Sequence, residues 1–206
     1  QDSESIERVA ENIIINLSHI FTIPMYPNHD IMNERSGHIM NYKSEYNSPL
    51  GTITLMADDQ HLIGLWLDSQ VKYNSEEIKQ AQLNDNLNIF NETKTWLDQY
   101  FNDENPPIDK LNIKTSGTQF QEDVWEILKQ IPSGETMSYG EIAKMIADKY
   151  HIQSMSAQAV GGAVGRNPIS IIIPCHRVMG KSDQLTGYAG GIDKKIALLK
   201  HEGLQF

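Results

Sequence analysis

Cysteine is almost absent from this 206-residue sequence, which contains Cys175 and no other. A single cysteine excludes an internal disulfide and a zinc site built from several cysteines. Long apolar runs are absent as well, since none approaches the ~20 residues of a bilayer-spanning helix, and the first residues lack the basic and apolar segments of a signal peptide. We therefore expect a soluble cytoplasmic protein that uses no metal, cofactor or membrane.

Positive charge is scarce, with 17 Lys and Arg against 27 Asp and Glu and a formal net charge of −10. Phosphate binding depends on Lys and Arg, so this balance argues against a nucleic-acid partner. The acidic excess is confined to residues 1–110, which hold 7 basic and 18 acidic residues, whereas residues 111–206 hold 10 and 9. The C-terminal half can therefore carry a local basic face, although its non-specific affinity for DNA should be modest.

The sequence patterns predict three segments. The first has apolar residues at helical spacing over 6–21, and the polar stretch 27–46 that follows is typical of a linker. Short apolar runs at 52–56 and 61–66 predict two strands around a turn, and 89–101 predicts a helix that ends before Asn105-Pro106-Pro107. We predict an extension of unknown role (1–39), a small α/β domain (40–110) and a C-terminal domain (111–206).

The C-terminal segment predicts a helix-turn-helix. Capping-box patterns, Thr118 with Gln121 and Ser138 with Glu141, each predict a helix start. The helix that begins at Ser138 runs to about Tyr150, and after a short turn another helix follows from about Ser156. Two short helices joined by a tight turn are typical of a helix-turn-helix, whose second helix is the usual reader of DNA.

That second helix is rich in small residues, although glycine inside a helix costs about 1 kcal/mol relative to alanine. The residues concerned are Ala157, Ala159, Gly161, Gly162, Ala163 and Gly165. Two interpretations remain open: the backbone presses into a groove of DNA, or it packs tightly on a neighbouring helix.

The lone cysteine follows the apolar run Ile171-Ile172-Ile173, which predicts a buried strand that ends at Pro174-Cys175-His176-Arg177. A thiolate is the nucleophilic form of cysteine, and a nearby base or positive charge makes it available at neutral pH. The alternative is a small buried hydrophobe, because a thiol often has that role in a core.

A C-terminal helix capped by Asp193 is predicted to carry Ile192, Ile196 and Leu199 and to end at Gly203. Glu202 lies in its last turn, where a carboxylate faces the negative end of the helix dipole. Helix stability does not explain this placement. Glu202 either orients a histidine or is an exposed surface residue.

From about Met40 to Phe206, the chain resembles the O6-alkylguanine-DNA alkyltransferases. Three motifs are similar in order and spacing: Ile173-Pro174-Cys175-His176-Arg177-Val178 to the active-site motif, Arg166-Asn167-Pro168 to the hinge before it, and Thr186-Gly187-Tyr188-Ala189-Gly190-Gly191 to the substrate-binding loop. Tyr46-Asn47-Ser48-Pro49-Leu50-Gly51 resembles the start of the small α/β domain. The resemblance implies a ribonuclease H-like α/β domain followed by a helical domain that holds the helix-turn-helix and the active-site cysteine.

The resemblance also implies a reaction, an irreversible transfer of the alkyl group to Cys175 in one turnover. His176 would pass the thiol proton through a water toward Glu202, and Asn167 would tie the helix-turn-helix to the active-site strand. The resemblance further implies that the backbone at Cys175 and Val178 reads the guanine edge. Tyr188 and Ala189 would frame the flipped base. Tyr139 would donate a proton or a hydrogen bond to the leaving guanine.

The implied partner is double-stranded DNA that contains O6-alkylguanine, with O4-alkylthymine as a further candidate, bound through the minor groove by a monomer. Expected DNA contacts are Ala157, Gln158, Gly161, Arg166 and Arg177. Base flipping is required because an alkyl group on O6 lies inside the stacked duplex. The family usually has an arginine where this sequence has Gln158, which cannot supply positive charge. Some members bind zinc through N-terminal cysteines, which this sequence lacks.

Three rival functions differ from repair. An alkyltransferase-like protein binds such lesions without repairing them, but that class typically has tryptophan at the position of Cys175. A helix-turn-helix regulator with an inert or redox-sensing thiol would not need Asn167, Tyr188 and Glu202. A Cys-His hydrolase would turn over, whereas S-alkylcysteine is a stable thioether.

Overall fold

The computed structural model describes residues 40–72 and 74–205. Strands precede helices, in the order β1 (Tyr42–Ser48), β2 (Gly51–Ala57), β3 (Leu62–Leu67), α1 (Asp68–Val71), α2 (Ser75–Gln80), β4 (Gln82–Leu83), α3 (Asn88–Phe101), α4 (Gln119–Leu128), β5 (Met137–Ser138), α5 (Tyr139–Tyr150), α6 (Ala157–Gly165), β6 (Val178–Met179) and α7 (Ile192–His201). Short 3-10 turns cover Ile108–Lys110, Cys175–Arg177 and Lys181–Asp183. The predicted extension, with its helix over 6–21, lies outside the described residues.

A four-stranded sheet of order β3-β2-β1-β4 forms the first part of the fold. The two predicted strands are confirmed as β2 and β3, which pair antiparallel. The stretch predicted as a linker is a strand from Tyr42 onward, which corrects that prediction. Strand β1 pairs with β2 antiparallel and with β4 parallel, but several of its side chains remain exposed, so it lacks a continuous apolar run.

Helix α3 packs against the sheet, as its predicted pattern requires. It buries Ile89, Phe90, Thr93, Trp96, Leu97 and Tyr100. These side chains share one core with buried residues of the helices that follow, such as Val124, Ile142 and Leu198. The division at about residue 110 therefore crosses a continuous core and stays a prediction.

The free edge of β3 joins the sheet to the second part of the chain. Leu62 donates its N–H to the carbonyl of Asn112 at 2.8 Å, and Leu65 donates to that of Pro168 at 2.9 Å. Ser170 then returns a hydrogen bond to the carbonyl of Leu65 at 3.0 Å. The sheet edge thereby fixes the backbone a few residues before Cys175.

The predicted helix-turn-helix is confirmed in α5 and α6. Both predicted capping boxes form, at Thr118 with Gln121 and at Ser138 with Glu141. Helix α5 ends at Tyr150, its C-cap His151 has a left-handed φ of 55°, and the Ser156 hydroxyl caps α6 by accepting from the N–H of Ala159. No helix among residues 40–72 and 74–205 is long and apolar enough to cross a membrane.

The small residues of α6 divide between a buried face and an exposed face. Ala163 is buried, and its carbonyl accepts a hydrogen bond of 2.9 Å from Nε1 of Trp125 on α4. Other small residues lie on the exposed face: Ala157, Ala159, Gly162 and Gly165. Packing on α4 therefore explains Ala163 but not this exposed small-residue face.

Candidate active site

A buried turn, rather than the predicted strand, carries the chain from α6 to Cys175. Ile171–Ile173 are buried, but Ile171 has a left-handed φ of 69°, which a β-branched residue rarely adopts. The Ile173 N–H donates to the carbonyl of Ile169 at 3.0 Å, which closes the turn. A continuous apolar run shows that a segment is buried and leaves its backbone conformation undetermined, so the strand prediction was wrong.

Asn167 holds this turn together. Its Nδ2 donates to the carbonyl of Ile173 at 2.8 Å, and its Oδ1 accepts from the N–H of Ile169 at 3.0 Å. Asn167 follows directly after Arg166, the C-cap of α6. One side chain therefore connects the end of the helix-turn-helix to the segment that delivers the thiol.

The Cys175 thiol is free, buried and placed at the start of a 3-10 turn. Burial raises its pKa above the ordinary value, and this effect outweighs the opposing hydrogen bond from Asn167. The resting group is therefore a thiol. It lines a cavity of about 30 Å³ whose other walls are Gln70, Tyr139, Gly161, Val164, Gly165, Asn167, Gly187, Tyr188 and Ala189.

His176, the residue after Cys175, forms a buried pair with Glu202. Nε2 of His176 lies 2.7 Å from Oε1 of Glu202, and their side chains are 0% and 1% exposed. The water expected on the path toward Glu202 therefore does not lie between these two residues. The prediction of an exposed Glu202 is excluded, and the alternative that it orients a histidine fits the structure.

The protonation of this pair follows from its surroundings. Burial lowers the pKa of His176, which outweighs the hydrogen bond and charge of Glu202. Burial alone would raise the pKa of Glu202, but the hydrogen bonds from His176 and Arg177, together with the charge of Arg177, hold it well below its ordinary value. A neutral imidazole that donates Nε2–H to the carboxylate leaves Nδ1 as a base, and Nδ1 has no hydrogen-bond partner among the described residues.

Arg177 does not fit its predicted role as a DNA contact. Its side chain is 8% exposed, Nε and Nη2 donate to Glu202 at 2.8 and 2.9 Å, and Nη1 donates to the carbonyl of Ile131. A guanidinium with its donors used inside the protein cannot reach a phosphate. Arg177 instead supplies the positive charge that keeps Glu202 ionised.

Helix α7 begins two residues earlier than a cap at Asp193 would require. Its N-cap is Gly191, with a φ of 96°, and Asp193 lies in the first turn, where an acidic residue favours the positive end of the helix dipole. Gly203 follows the C-cap Glu202 with a φ of 89°, so the predicted C-terminal end is confirmed.

Lys195 was missed, although it lies three and four residues before the buried Leu198 and Leu199, on the apolar face of α7. Its side chain is buried, and Nζ donates to the carbonyls of Val178 and Thr186. Burial lowers its pKa to about 8, against the opposing influence of Cys175. The Val178 N–H donates to the Cys175 carbonyl, and the Val178 carbonyl already accepts from Lys195. The group of Val178 that remains for a hydrogen bond to a guanine is therefore the second lone pair of its carbonyl oxygen.

Tyr100 and Gln70 were also missed, because the contacts that place them at the candidate site join positions distant in sequence. The Tyr100 hydroxyl donates to Oε1 of Glu202 at 2.8 Å. Oε1 of Gln70 accepts from the Ser170 hydroxyl at 3.0 Å, and Gln70 lines the cavity at Cys175. No pattern around either residue indicates these contacts.

The predicted substrate loop contributes Gly187, Tyr188 and Ala189 to the wall of the cavity at Cys175. Burial raises the pKa of Tyr188, whose hydroxyl has no hydrogen-bond partner among the described residues, and Ala189 is exposed beside it. Tyr139 reaches the carbonyl of Gly187 at 3.5 Å. A wider cavity of about 740 Å³ lies in front, lined by Ser138, Tyr139, Gly140, Ala157, Gln158, Gly161, Lys181, Thr186 and Gly187.

The predicted DNA contacts other than Arg177 lie at the surface. Ala157, Gln158 and Arg166 are exposed, and Gly161 is half-buried. Three of them, Ala157, Gln158 and Gly161, line the wider cavity. In the described part of the chain, no three His, Cys, Asp or Glu side chains come together in a way that could hold a metal ion.

Two family models match the chain over most of its length. The ribonuclease-like domain of 6-O-methylguanine DNA methyltransferase matches residues 41–115, and the DNA-binding domain of the same family matches residues 119–204. The predicted fold class, a ribonuclease H-like α/β part followed by a helical DNA-binding part, agrees with both matches.

Individual relatives show the same similarity. The chain is 41% identical over 162 residues to a methylated-DNA–protein-cysteine methyltransferase of Methanosarcina acetivorans, which covers 79% of this chain and 98% of the relative. A Haemophilus influenzae protein of the same name is 37% identical over 166 residues, 80% of this chain and 88% of the relative.

Solved structures match as well. The O6-methylguanine methyltransferase of Mycobacterium tuberculosis superimposes with a TM-score of 0.68 at 40% identity, over 79% of this chain and 93% of the other. A complex of the Mycobacterium tuberculosis protein with DNA gives a TM-score of 0.68 at 39% identity, over 78% and 92% of the two chains.

Proposed function

The chain belongs to the 6-O-methylguanine DNA methyltransferase family, and we propose that it takes the alkyl group of its DNA substrate onto Cys175. The activity is DNA repair by transfer of an alkyl group to a cysteine of the protein itself. One observation carries the assignment of the acceptor: the whole sequence contains a single cysteine. Its place in the sequence directly before the buried His176 and its position in the wall of a small cavity support the assignment.

The thiolate forms at the moment of reaction. Nδ1 of His176 takes the thiol proton, directly or through one water, and the imidazolium is stabilised by Glu202 at 2.7 Å. Sulfur then forms a bond to the alkyl carbon while the bond from that carbon to O6 breaks. The electron pair stays with guanine, which is protonated as it leaves, with Tyr139 as the donor or hydrogen-bonding group. The product is a thioether, and no group at the site removes it.

The lesion that fits this chemistry is O6-alkylguanine, with O4-alkylthymine as a further candidate. Because O6 lies inside the stacked duplex, the base must be flipped to meet sulfur in line. The wider cavity beside Gln158 and Tyr139 provides the entrance, and Tyr188 and Ala189 frame the base. One chain supplies every group of the site, so we propose a monomer that acts in the cytoplasm with access to chromosomal DNA.

Mass analysis tests the acceptor. The protein is incubated with excess duplex that carries a labelled O6-methylguanine, and we expect one added methyl group per chain, on Cys175, with no second turnover. The Cys175→Ser variant, checked for folding, should take up no label. Repeated turnover in substrate excess, or transfer to the serine variant, contradicts the proposal.

Helix α6 is proposed to enter the minor groove, because its exposed face is made of small residues and ends near Gln158 and Arg166. Gln158 would fill the gap left by the flipped base, without the charge that arginine adds. Gln158→Arg should tighten binding, steepen the salt dependence by about one unit of slope and speed repair in duplex DNA. The free base O6-benzylguanine, which needs no flipping, should react at nearly the same rate as before.

The matched control is Gln153→Arg, which adds the same charge at an exposed residue of the turn before α6. This control should change salt dependence without speeding repair of the duplex. An equal rate gain of Gln158→Arg on free base and duplex would show that Gln158 does not replace the flipped base.

A further inference from the structure

A second cavity, of about 430 Å³, adjoins the small cavity at Cys175. The two cavities share part of their lining, namely Gln70, Gly165, Asn167 and Ala189. The second cavity is further lined by Trp66, Asn74, Arg166 and Pro168. A group that extends beyond the small cavity past this shared lining would therefore enter the larger one.

Gln70 is the main removable part of the shared lining. Gly165 has no side chain, Ala189 ends at Cβ, and the amide of Asn167 is committed to the turn before Cys175. Gln70 is 4% exposed, and its Oε1 accepts from the Leu67 N–H and from the Ser170 hydroxyl, both at 3.0 Å. These two hydrogen bonds fix the long side chain between the cavities.

The sizes of the two cavities differ in a way that matters for the alkyl group. The cavity at Cys175 measures about 30 Å³, compared with the roughly 10–15 Å³ that a cavity needs to hold one water. Such a space suits a methyl group and is too small for a chain of several carbons. The second cavity, at about 430 Å³, has room for such a chain.

We propose that the second cavity is a subsite for the distal part of alkyl groups longer than methyl, and that Gln70 limits how far they extend. This inference rests on the proposed transfer to Cys175. Sulfur bonds to the first carbon of the chain as the bond from that carbon to O6 breaks, so the distal carbons stay on the protein. Trp66 and Pro168 supply apolar walls, and Asn74 and Arg166 can meet a polar end.

Paired substrates test the subsite. Single-turnover rates are measured on two duplexes that differ only in O6-methylguanine or O6-butylguanine, and the ratio of butyl to methyl rate is compared among variants. Gln70→Ala opens the boundary and should raise this ratio about fivefold or more, since one methylene in a pocket changes discrimination by roughly tenfold. Asn74→Phe fills the second cavity and should lower the ratio by about the same factor.

The two variants should shift the ratio of butyl to methyl rate in opposite directions, so either one can test the subsite. Gln70→Ala removes the acceptor of the Leu67 N–H, so if this variant fails to fold, Asn74→Phe decides alone. Gln82→Ala, an exposed glutamine on β4, is the control and should leave the ratio unchanged. Ratios that stay constant in both test variants overturn the subsite. Failure of the unaltered protein to transfer methyl to Cys175 overturns the proposed function, and the subsite with it.

Discussion

Glu202 and Asp123 are carboxylates buried in different parts of the molecule, with side chains 1% and 6% exposed. Each accepts a hydrogen bond from a tyrosine and from a cation. Glu202, at the end of α7, accepts from Tyr100 and Arg177. Asp123, on α4, accepts from Tyr150 and Lys149, both near the end of α5. Because both side chains are buried, any difference in role between these two carboxylates must come from the residues that contact them.

The difference lies in the further partner of each carboxylate. Glu202 meets His176, next in sequence to the thiol, whereas Asp123 meets the amide of Gln119 on its own helix at 3.0 Å. Hydrogen bonds from Lys149 and Tyr150 lower the pKa of Asp123, much as those from His176 and Arg177 lower that of Glu202. A lowered pKa alone therefore does not identify a functional carboxylate, and what distinguishes Glu202 is its contact with His176, the residue after the proposed nucleophile.

Glu202→Gln should have the largest effect on the reaction, because it removes the anion that stabilises the His176 imidazolium. We expect transfer at pH 7 to slow about 100-fold, within the range of general acid–base catalysis. The rate is measured on O6-benzylguanine and corrected for the folded fraction, since Arg177 loses its counterion and stability falls. DNA affinity should stay within a few-fold. A corrected rate equal to that of the unaltered protein would remove Glu202 from the mechanism.

Asp123→Asn is the matching change in the other carboxylate, and we expect it to act on stability alone. The hydrogen bonds from Lys149 and Tyr150 lose their charged acceptor, which should lower the free energy of unfolding by about 1.5–3 kcal/mol. Lys149 is 54% exposed, so water can solvate it afterwards. Urea unfolding measures the loss, and transfer per folded molecule should be unchanged. A drop in the transfer rate comparable to that of Glu202→Gln would contradict a purely structural role for Asp123.

Sequence patterns predicted the elements whose signals are local. The two capping boxes, the hairpin of β2 and β3, and helix α3 depend on neighbouring residues, and all are confirmed. The resemblance to a family identified the motif around Cys175 and suggested a role for Glu202. The backbone of Ile171–Ile173 was predicted wrongly, because burial and conformation are separate properties that one apolar run cannot distinguish.

The contacts that complete the candidate site join distant parts of the chain, so no pattern in the neighbouring sequence indicates them. Tyr100 lies 102 residues from Glu202, and Gln70 lies 100 residues from Ser170. The guanidinium of Arg177 turns inward because Glu202 and the Ile131 carbonyl meet it there. The sequence therefore names the candidate reacting residues better than the residues that contact and orient them.

Acid should destabilise the protein through both carboxylates. Their pKa values are lowered in the folded state, so each contributes stability that is present above its unfolded pKa of about 4 and lost as pH falls through the folded value. We expect the free energy of unfolding to decrease below about pH 4 and to decrease less steeply in Asp123→Asn. Urea titrations between about pH 7 and pH 3 measure this dependence. An unchanged slope in the variant would contradict the ion-pair role of Asp123.

The smallest effect should come from removing one hydroxyl at each carboxylate, with Tyr100→Phe and Tyr150→Phe as a matched pair. Tyr100 donates at 2.8 Å and Tyr150 at 2.7 Å, and phenylalanine keeps each ring, including the stacking of residue 100 on Trp96. Burial and the charge of Glu202 raise the pKa of Tyr100, so its hydroxyl keeps its proton and acts as a donor.

Tyr100→Phe removes one hydrogen bond from Oε1 of Glu202, the oxygen that also contacts His176. Arg177 still donates to both carboxylate oxygens. Transfer to Cys175 should therefore slow by only about threefold, or roughly 0.7 kcal/mol in the activation barrier. Tyr150→Phe should lower stability by a similar or larger amount and leave the rate unchanged, because Asp123 has no contact with the reacting groups. Both variants are measured by urea unfolding and by single-turnover transfer to the protein from O6-benzylguanine. Equal rates in the two would show that the Tyr100 hydroxyl stabilises the fold, as that of Tyr150 does, and has no part in orienting Glu202 toward His176.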